Sequence, residues 1–275
     1  MYLTDAHRNQ FATEGYTVVS GLFSAEETEF YNQHFEALRQ REVNLDDVKD
    51  ASDPLQIYPR LMQPHRHDET SLRWLLDERL NQSLTGLLGR EPYAVQTMFY
   101  FKPAGARGQA LHQDQYYLRV QPGTCMAAWM ALDVIDEENG CLQIVPGSHQ
   151  WPLLCTVEGD TRVSFTDVTV DLPEGETPIP VRMQPGDVLF FNGMLVHGST
   201  PNTSTNRFRR ALIGHYIVGE AQQVYRWYHP ALRMDGTPVE LGVSEAGGTC
   251  GVWVDEYGQP VVELQAEVVN EIFNH

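Results

Sequence analysis

The spacing of apolar residues along this chain changes period near residue 90, dividing it into a helical part and a β-rich part. Thr4 stands at the cap position of a first helix running to about Thr13. Ser24-Ala25-Glu26-Glu27 has the form of a capping box ahead of Phe30, Tyr31, Phe35 and Leu38 at helical spacing. Between them, Gly15-Tyr16-Thr17-Val18-Val19 predicts a short strand. From Ser71 to Leu88, the stripe of Leu72, Leu75, Leu76, Leu80, Leu84, Leu87 and Leu88 predicts one covering helix, stopped by Gly89 and Pro92. After Tyr93, short β-rich runs alternate with Gly and Pro: Tyr93 to Phe101, Cys125 to Leu132, Leu142 to Val145, Val181 to Met183, Asp187 to Phe191 and Ala211 to Val218. Such a series predicts a sandwich or barrel. Residues 219 to 260 are loop-rich, and Val262, Ala266, Val269, Ile272 and Phe273 are spaced for a last helix over 261–273.

Composition narrows the partners. With 37 acidic and 19 basic residues the net charge is −18, which opposes phosphate backbones and anionic membrane surfaces, so neither nucleic acid nor membrane is expected. No apolar run reaches the roughly 20 residues that span a bilayer, and Met1-Tyr2-Leu3-Thr4-Asp5 lacks the order of a signal peptide. A cytoplasmic chain, monomeric or a small homo-oligomer, is the expectation. The cysteines at 125, 141, 155 and 250 form no C-x-x-C pair and read as reduced thiols, mostly core filler.

The chemistry concentrates in His112-Gln113-Asp114 and in His197, which follows the apolar run Gly186-Asp187-Val188-Leu189-Phe190-Phe191. In a strand, residues i and i+2 share a face, so His112 and Asp114 would ligate one metal from adjacent positions, with His197 arriving from a distant strand. Two imidazoles and one carboxylate on one side of an octahedron are the donor set of non-heme Fe(II) oxygenases. Placing these ligands in the β-rich segment predicts a double-stranded β-helix, a cupin-like jelly roll, over 93–218. The N-terminal part, 1–90, would be a mostly helical cover and 219–275 an extension, all within one oxygenase domain, 1–275. His65-Arg66-His67-Asp68 is a rival metal cluster but reads better as a solvated loop that could line an entrance. His149 reads as a turn residue, and His215 is left open. Arg207, Arg209 and Arg210 offer guanidinium groups for a buried carboxylate of a chelating keto acid, unless all three are solvated edge charges.

Taken in order, these motifs resemble the phytanoyl-CoA dioxygenase family of Fe(II)/2-oxoglutarate oxygenases. The resemblance is carried by Phe11 to Val19 with Gly21 to Glu27, Phe101-Lys102-Pro103-Ala104-Gly105, His112-Gln113-Asp114, Trp129 to Asp133, Glu138 to Leu142 and Pro146 to His149. It continues through Gly186 to Phe191 and His197-Gly198-Ser199 with Asn202, and ends in Arg209-Arg210-Ala211-Leu212. It implies Fe(II) on His112, Asp114 and His197, and 2-oxoglutarate with its distal carboxylate on Arg209, Arg207 being second choice. Ser199 would assist that carboxylate and Trp129 would flank the co-substrate, while Gln96 and Tyr100 match further contact positions.

The implied reaction consumes O2 and 2-oxoglutarate, releases succinate and CO2, and hydroxylates an unactivated C–H bond of a small molecule. Asp114 argues against halogenation, because related halogenases replace this carboxylate by a small residue. Desaturation, cyclisation and epimerisation stay open, as does a ligand-binding jelly roll without turnover. A zinc hydrolase on the same ligands is a further alternative. The substrate is not specified by the motifs.

Overall fold

A computed structural model describes residues 2–244, 250–254 and 261–265. Helix α1 (Asp5–Glu14) begins at Thr4, whose hydroxyl accepts the His7 backbone N–H while the His7 ring accepts the Thr4 N–H; it ends at Gly15, at φ 83°. Strand β1 (Tyr16–Val19) follows, and then α2 (Ala25–Glu42), where Ser24 and Glu27 close the expected capping box. A short helix α3 (Pro54–Ile57) and strand β2 (Leu61–Met62) lead to the leucine-rich stretch. That stretch is two helices rather than one, α4 (Glu69–Leu75) and α5 (Glu78–Leu88). The stripe was read correctly as a buried face, but Asp77 accepts from the Arg79 N–H and starts a new helix, which periodicity alone does not reveal.

The β-rich part holds β3 (Tyr93–Tyr100), β4 (Gln109–His112), a single helical turn α6 (Gln115–Leu118), β5 (Cys125–Ala131) and β6 (Leu142–Ile144). Then come β7 (Thr156–Glu158), β8 (Val168–Val170), β9 (Ile179–Val181), β10 (Val188–Asn192), β11 (His197–Ser199) and β12 (Ala211–Ile217). The large sheet has the order β1-β10-β5-β12-β3, continued past β3 by the two-residue strands Ala231–Leu232 and Pro238–Val239 and with β2 also pairing β3, and the small sheet the order β4-β11-β6-β9; the pairings among these strands are all antiparallel. Two antiparallel sheets facing each other make the expected jelly roll.

Side chains of β5 alternate between its two faces, and every one is buried. Met126, Ala128 and Met130 pack with Phe35, Trp74, Leu84, Phe190 and Leu212 under the helices. Ala127, Trp129 and Ala131 pack with Leu142, Leu189, Phe191 and Ile213 between the sheets. The helical layer is thereby fastened to the sheet, most directly where the Phe35 ring stacks on Phe99 with centroids 4.3 Å apart. Each fully buried side chain of this size contributes about 1.5–3 kcal/mol relative to exposure. The helices therefore seal one face of the large sheet and leave the other to the cavity.

Four expectations change. The strand placed at 181–183 lies at Ile179–Val181, set by pairing with β6. Residues 261–265 form a strand with 250–254 rather than the start of a helix, and 266–273 lie outside the described residues. The loop-rich extension contains short strands, among them Gln223–Tyr225 paired with Gly242–Ser244. Finally, Cys155 and Cys250 form a disulfide, whereas Cys125 and Cys141 are the buried free thiols expected of all four. Spacing gave no sign of this bond because its partners are brought together by the Leu154–Gly251 bridge. Thiol titration of the denatured, unreduced protein should therefore find two free thiols, rising to four after reduction; four without reductant would refute the pairing.

Candidate metal centre and co-substrate pocket

Strand β11 lies between β4 and β6, with His197 directly opposite His112 in register. Gly198 permits the close approach, since a Cβ there would stand 2.7 Å from the Gln109 carbonyl oxygen. Asp114 arrives differently from the strand alternation expected. β4 ends at His112, the chain turns, and Asp114 adopts helical angles (φ −61°, ψ −30°) just ahead of α6. Gln113, almost fully buried, locks that turn: its amide donates to the Pro152 and Met194 carbonyls and accepts from the Leu154 N–H. The two metal candidates of His112-Gln113-Asp114 thus converge across a turn.

His112, Asp114 and His197 are all buried, and their ligand atoms lie within 4.8 Å of one another. Each imidazole is pre-oriented: Nδ1 of His112 lies 2.8 Å from the Ala110 carbonyl and Nδ1 of His197 lies 2.9 Å from the Leu195 carbonyl. Donation of Nδ1–H to those oxygens leaves both Nε2 lone pairs directed inward. Burial, then neighbouring His112, lowers the His197 pKa to about 4, so the ring is neutral at physiological pH. Burial alone would raise the Asp114 pKa, but His197 and His215 nearby, with hydrogen bonds from His112 and His215, hold it well below the usual carboxylate range. Two neutral imidazoles and one carboxylate are the donor set that ferrous iron takes in facial triads.

His215, left open by its sequence context, stands behind this cluster. Oδ1 of Asp114 faces the two histidines at 3.4 and 3.6 Å, while Oδ2 is 3.1 Å from Nε2 of His215. Nδ1 of His215 in turn meets the Gln96 side chain at 2.9 Å. Gln96, expected beside the co-substrate, lines the same cavity but spends this contact on His215.

Arg209 is 3 % exposed and has no carboxylate partner among the described residues. Its Nε donates to the Gly140 carbonyl at 3.2 Å, its Nη2 lies 3.5 Å from Ser199 Oγ, and its guanidinium sits 5.3 Å from the Trp129 ring and 5.9 Å from that of Tyr100. Burial lowers its pKa to about 10, which leaves it charged at neutral pH. A buried cation without an anion is costly, and the cavity of about 710 Å³ that Arg209, Ser199, Trp129, Tyr100 and the metal cluster line is where an anion would meet it. Arg207, the second choice, is engaged at the surface with Asp136 and Glu138, and Arg210 pairs with Asp133. The chain over 207–210 is not a strand and Arg209 is buried, so the three are not a row of solvated edge charges.

Lys102 was quoted only as part of a motif, yet it is buried beside Arg209. Its ammonium donates to Ser199 Oγ at 3.0 Å, to the Gly140 carbonyl at 3.1 Å and to the Thr200 carbonyl. Burial, then Arg209, pushes its pKa well down. A lysine ending an apolar strand and preceding proline was the available signal. The rival cluster is solvated only in part: Arg66 and His67 are exposed, Arg66 holding the carbonyls of Trp227 and His229 and His67 meeting Glu42, whereas His65 is buried against Thr97 and Asp68 caps α4. His149 takes no part in the metal cluster.

The phytanoyl-CoA dioxygenase family profile matches residues 11–211. The chain belongs to this family. A bovine (Bos taurus) peroxisomal phytanoyl-CoA dioxygenase is 27% identical over 227 residues, 76% of this chain and 67% of its own length. Rice (Oryza sativa subsp. japonica) phytanoyl-CoA dioxygenase 1 is 31% identical over 160 residues, covering 57% and 56% of the two chains. Among solved structures, the epimerase SnoN in complex with Fe3+, alpha ketoglutarate and nogalamycin RO superposes with a TM-score of 0.66 at 21% identity, over 79% of this chain and 84% of that one. EctD from S. alaskensis, with 2-oxoglutarate and 5-hydroxyectoine, gives 0.65 at 21% identity over 88% and 87%. Family, fold and donor set together make the chain an Fe(II)/2-oxoglutarate-dependent oxygenase with a small-molecule substrate.

If His215 holds the carboxylate ligand, His215→Ala should weaken Fe(II) binding by roughly 10- to 100-fold, measured by anaerobic titration. Unchanged affinity would leave His215 without that role.

Proposed function

We propose that this chain hydroxylates an unactivated C–H bond of a small molecule, with His112, Asp114 and His197 as the iron ligands and Arg209 as the anchor of the distal carboxylate of 2-oxoglutarate. The observation that carries the reading is the buried Arg209 guanidinium, without a carboxylate partner among the described residues, in the same cavity as the three-residue cluster. A zinc hydrolase or a passive binder has no need of it. Iron bound there supplies O2 activation coupled to oxidative decarboxylation of the keto acid to succinate and CO2.

The protein's own share is orientation and exclusion of water. Ser199 Oγ, contacted by Lys102, Arg209 and the Gln109 N–H, lies where it completes the carboxylate pocket. Trp129, Leu142, Phe191 and Ile213 wall the cavity with apolar surface, which strengthens the ion pairing inside. Burial, and then the neighbouring Asp114, raise the pKa of the Tyr117 hydroxyl, so it stays protonated and does not act as a base.

Desaturation, cyclisation and epimerisation are the second reading, since the superposable structures include an epimerase and the carbocyclase SnoK. The proposal extends to one oxygenase domain over 1–275, monomeric or a small homo-oligomer, without nucleic-acid or membrane partners; none of the described helices is long and apolar enough to cross a membrane. A cytoplasmic location fits only if Cys155 and Cys250 are kept reduced in the cell, because a persistent disulfide belongs to an oxidising compartment.

Anaerobic addition of Fe(II) and 2-oxoglutarate should give a weak visible charge-transfer band that is absent in His112→Ala. Arg209→Met should bind Fe(II) normally but need roughly a hundred- to several-thousandfold more 2-oxoglutarate, as the loss of a buried ion pair costs about 3–5 kcal/mol. Missing band, or an unchanged 2-oxoglutarate requirement, would count against the assignment. Turnover of the substrate that persists under strict anaerobiosis, without succinate formation, would restore the hydrolytic alternative.

A further inference from the structure

Charge in the cavity runs opposite to charge on the whole chain. Against 37 acidic and 19 basic residues overall, the cavity is lined by three arginines, Arg60, Arg209 and Arg226, and by one carboxylate, Asp114. Asp114 belongs to the metal cluster and Arg209 to the co-substrate, which leaves two cations at the outer end. Arg60 donates to the Tyr100 hydroxyl at 3.3 Å and lies 4.4 Å over the Phe165 ring; Arg226 lies 5.8 Å from the Tyr225 ring. Neither has a carboxylate partner among the described residues, unlike Arg79, Arg107, Arg207 and Arg210, which do.

These two arginines come from distant segments that the fold fastens together. Gln63 Nε2 and Arg66 Nη2 both donate to the Trp227 carbonyl, at 3.0 and 2.7 Å, and Arg66 reaches the His229 carbonyl at 2.8 Å. The lining of the cavity therefore takes Arg60 and Met62 from one of two joined segments and Arg226 and Trp227 from the other. Met62 is 41 % and Trp227 55 % exposed, apolar surface left uncovered beside unpaired charge. In a strongly acidic protein, a local positive rim is what lets an anion approach.

We propose that the substrate is an amphiphilic anion, with an apolar body that packs on Met62 and Trp227 and a carboxylate or phosphate group that pairs with Arg60 and Arg226. The carbon to be oxidised then faces inward, toward His112, Asp114 and His197. This substrate class rests on the oxygenase reading above.

The test uses the Fe(II)- and 2-oxoglutarate-loaded protein under anaerobic conditions, so that Arg209 is filled, and four probes sharing one ring system: 1-naphthoate, 1-naphthyl phosphate, 1-naphthol and 1-naphthylmethylamine. At least one anion should bind about tenfold more tightly than 1-naphthol, as two partly solvated ion pairs allow, with the cation weakest. A preference for either anion supports the proposal and names the head group. High salt should shrink the preference, and the Arg60→Met/Arg226→Met double variant should remove it while leaving 1-naphthol binding unchanged. Trp227→Ala should weaken all four probes alike. Equal binding of 1-naphthol and both anions, an anion preference that survives in the double variant, or no effect of Trp227→Ala would overturn the proposal. The charge-transfer band in the same samples keeps the failures apart: its absence from the parent protein strikes the oxygenase reading, and its retention in the variants shows that they are folded.

Discussion

The register that sets His197 opposite His112 across two short antiparallel strands is the constraint on which the rest of the site depends. Both strands are only three or four residues long, so they have little pairing energy of their own and are held by what surrounds them. β6 flanks β11 on its other side, Gly198 allows the backbones to close, and Gln113 ties the turn after His112 to three separate backbone groups. Slipping β11 by one residue would turn His197 away and bring Gly198 or Val196 to the cluster. The metal centre is thus a property of strand register before it is a property of three residues.

Charge is the second constraint. Arg209 and Lys102 are both buried and adjacent, an arrangement that opposes itself unless polar groups answer it. The Gly140 carbonyl and Ser199 hydroxyl contact both side chains, and the Thr200 carbonyl accepts from Lys102. Carbonyls lessen the cost of desolvation without neutralising the charge, so the pocket stays cationic and ready for a dianionic co-substrate. The loops that present those groups are braced by pairs of full charge, Asp133 with Arg210 and Asp136 with Arg207. Neighbouring arginines therefore divide the work, with Arg207 and Arg210 holding the frame that keeps Arg209 unpaired.

Features governed by local rules were the ones the sequence revealed. Thr4 and Ser24 announced their helices because a cap needs only the next few residues, and β3, β5 and β12 were evident because strands buried on both faces read as continuous apolar runs. His112, Asp114 and His197 do come together, but for a reason that differs in part from the one expected: Asp114 reaches the cluster through a turn, which i, i+2 spacing resembles by accident. His215 and Lys102 were not assigned because their roles are set by neighbours remote in sequence, Asp114 and Gln96 for one, Gly140 and Thr200 for the other. The same holds for the Cys155–Cys250 bond and for the break at Asp77, where a side-chain cap overrode a continuous leucine stripe.

The disulfide also changes how the C-terminal extension should be understood. Cys155 adjoins Leu154, whose N–H is held by Gln113, the residue between the two metal candidates. The Cys155 N–H donates to the Gly251 carbonyl and the Gly251 N–H to that of Leu153, so the covalent link is doubled by backbone pairing. Residues 250–254 are in this way coupled through a short rigid path to the turn that carries Asp114. Separately, Gln63 and Arg66 fasten the 226–229 segment to the N-terminal cover. The extension is therefore tied once to the turn beneath the metal cluster and once to the rim where substrate enters, and it belongs to the architecture of the site although it lies beyond residue 211, where the family match ends. Variation in this segment offers a physical route by which one metal core could serve different substrates without altering the residues that hold iron.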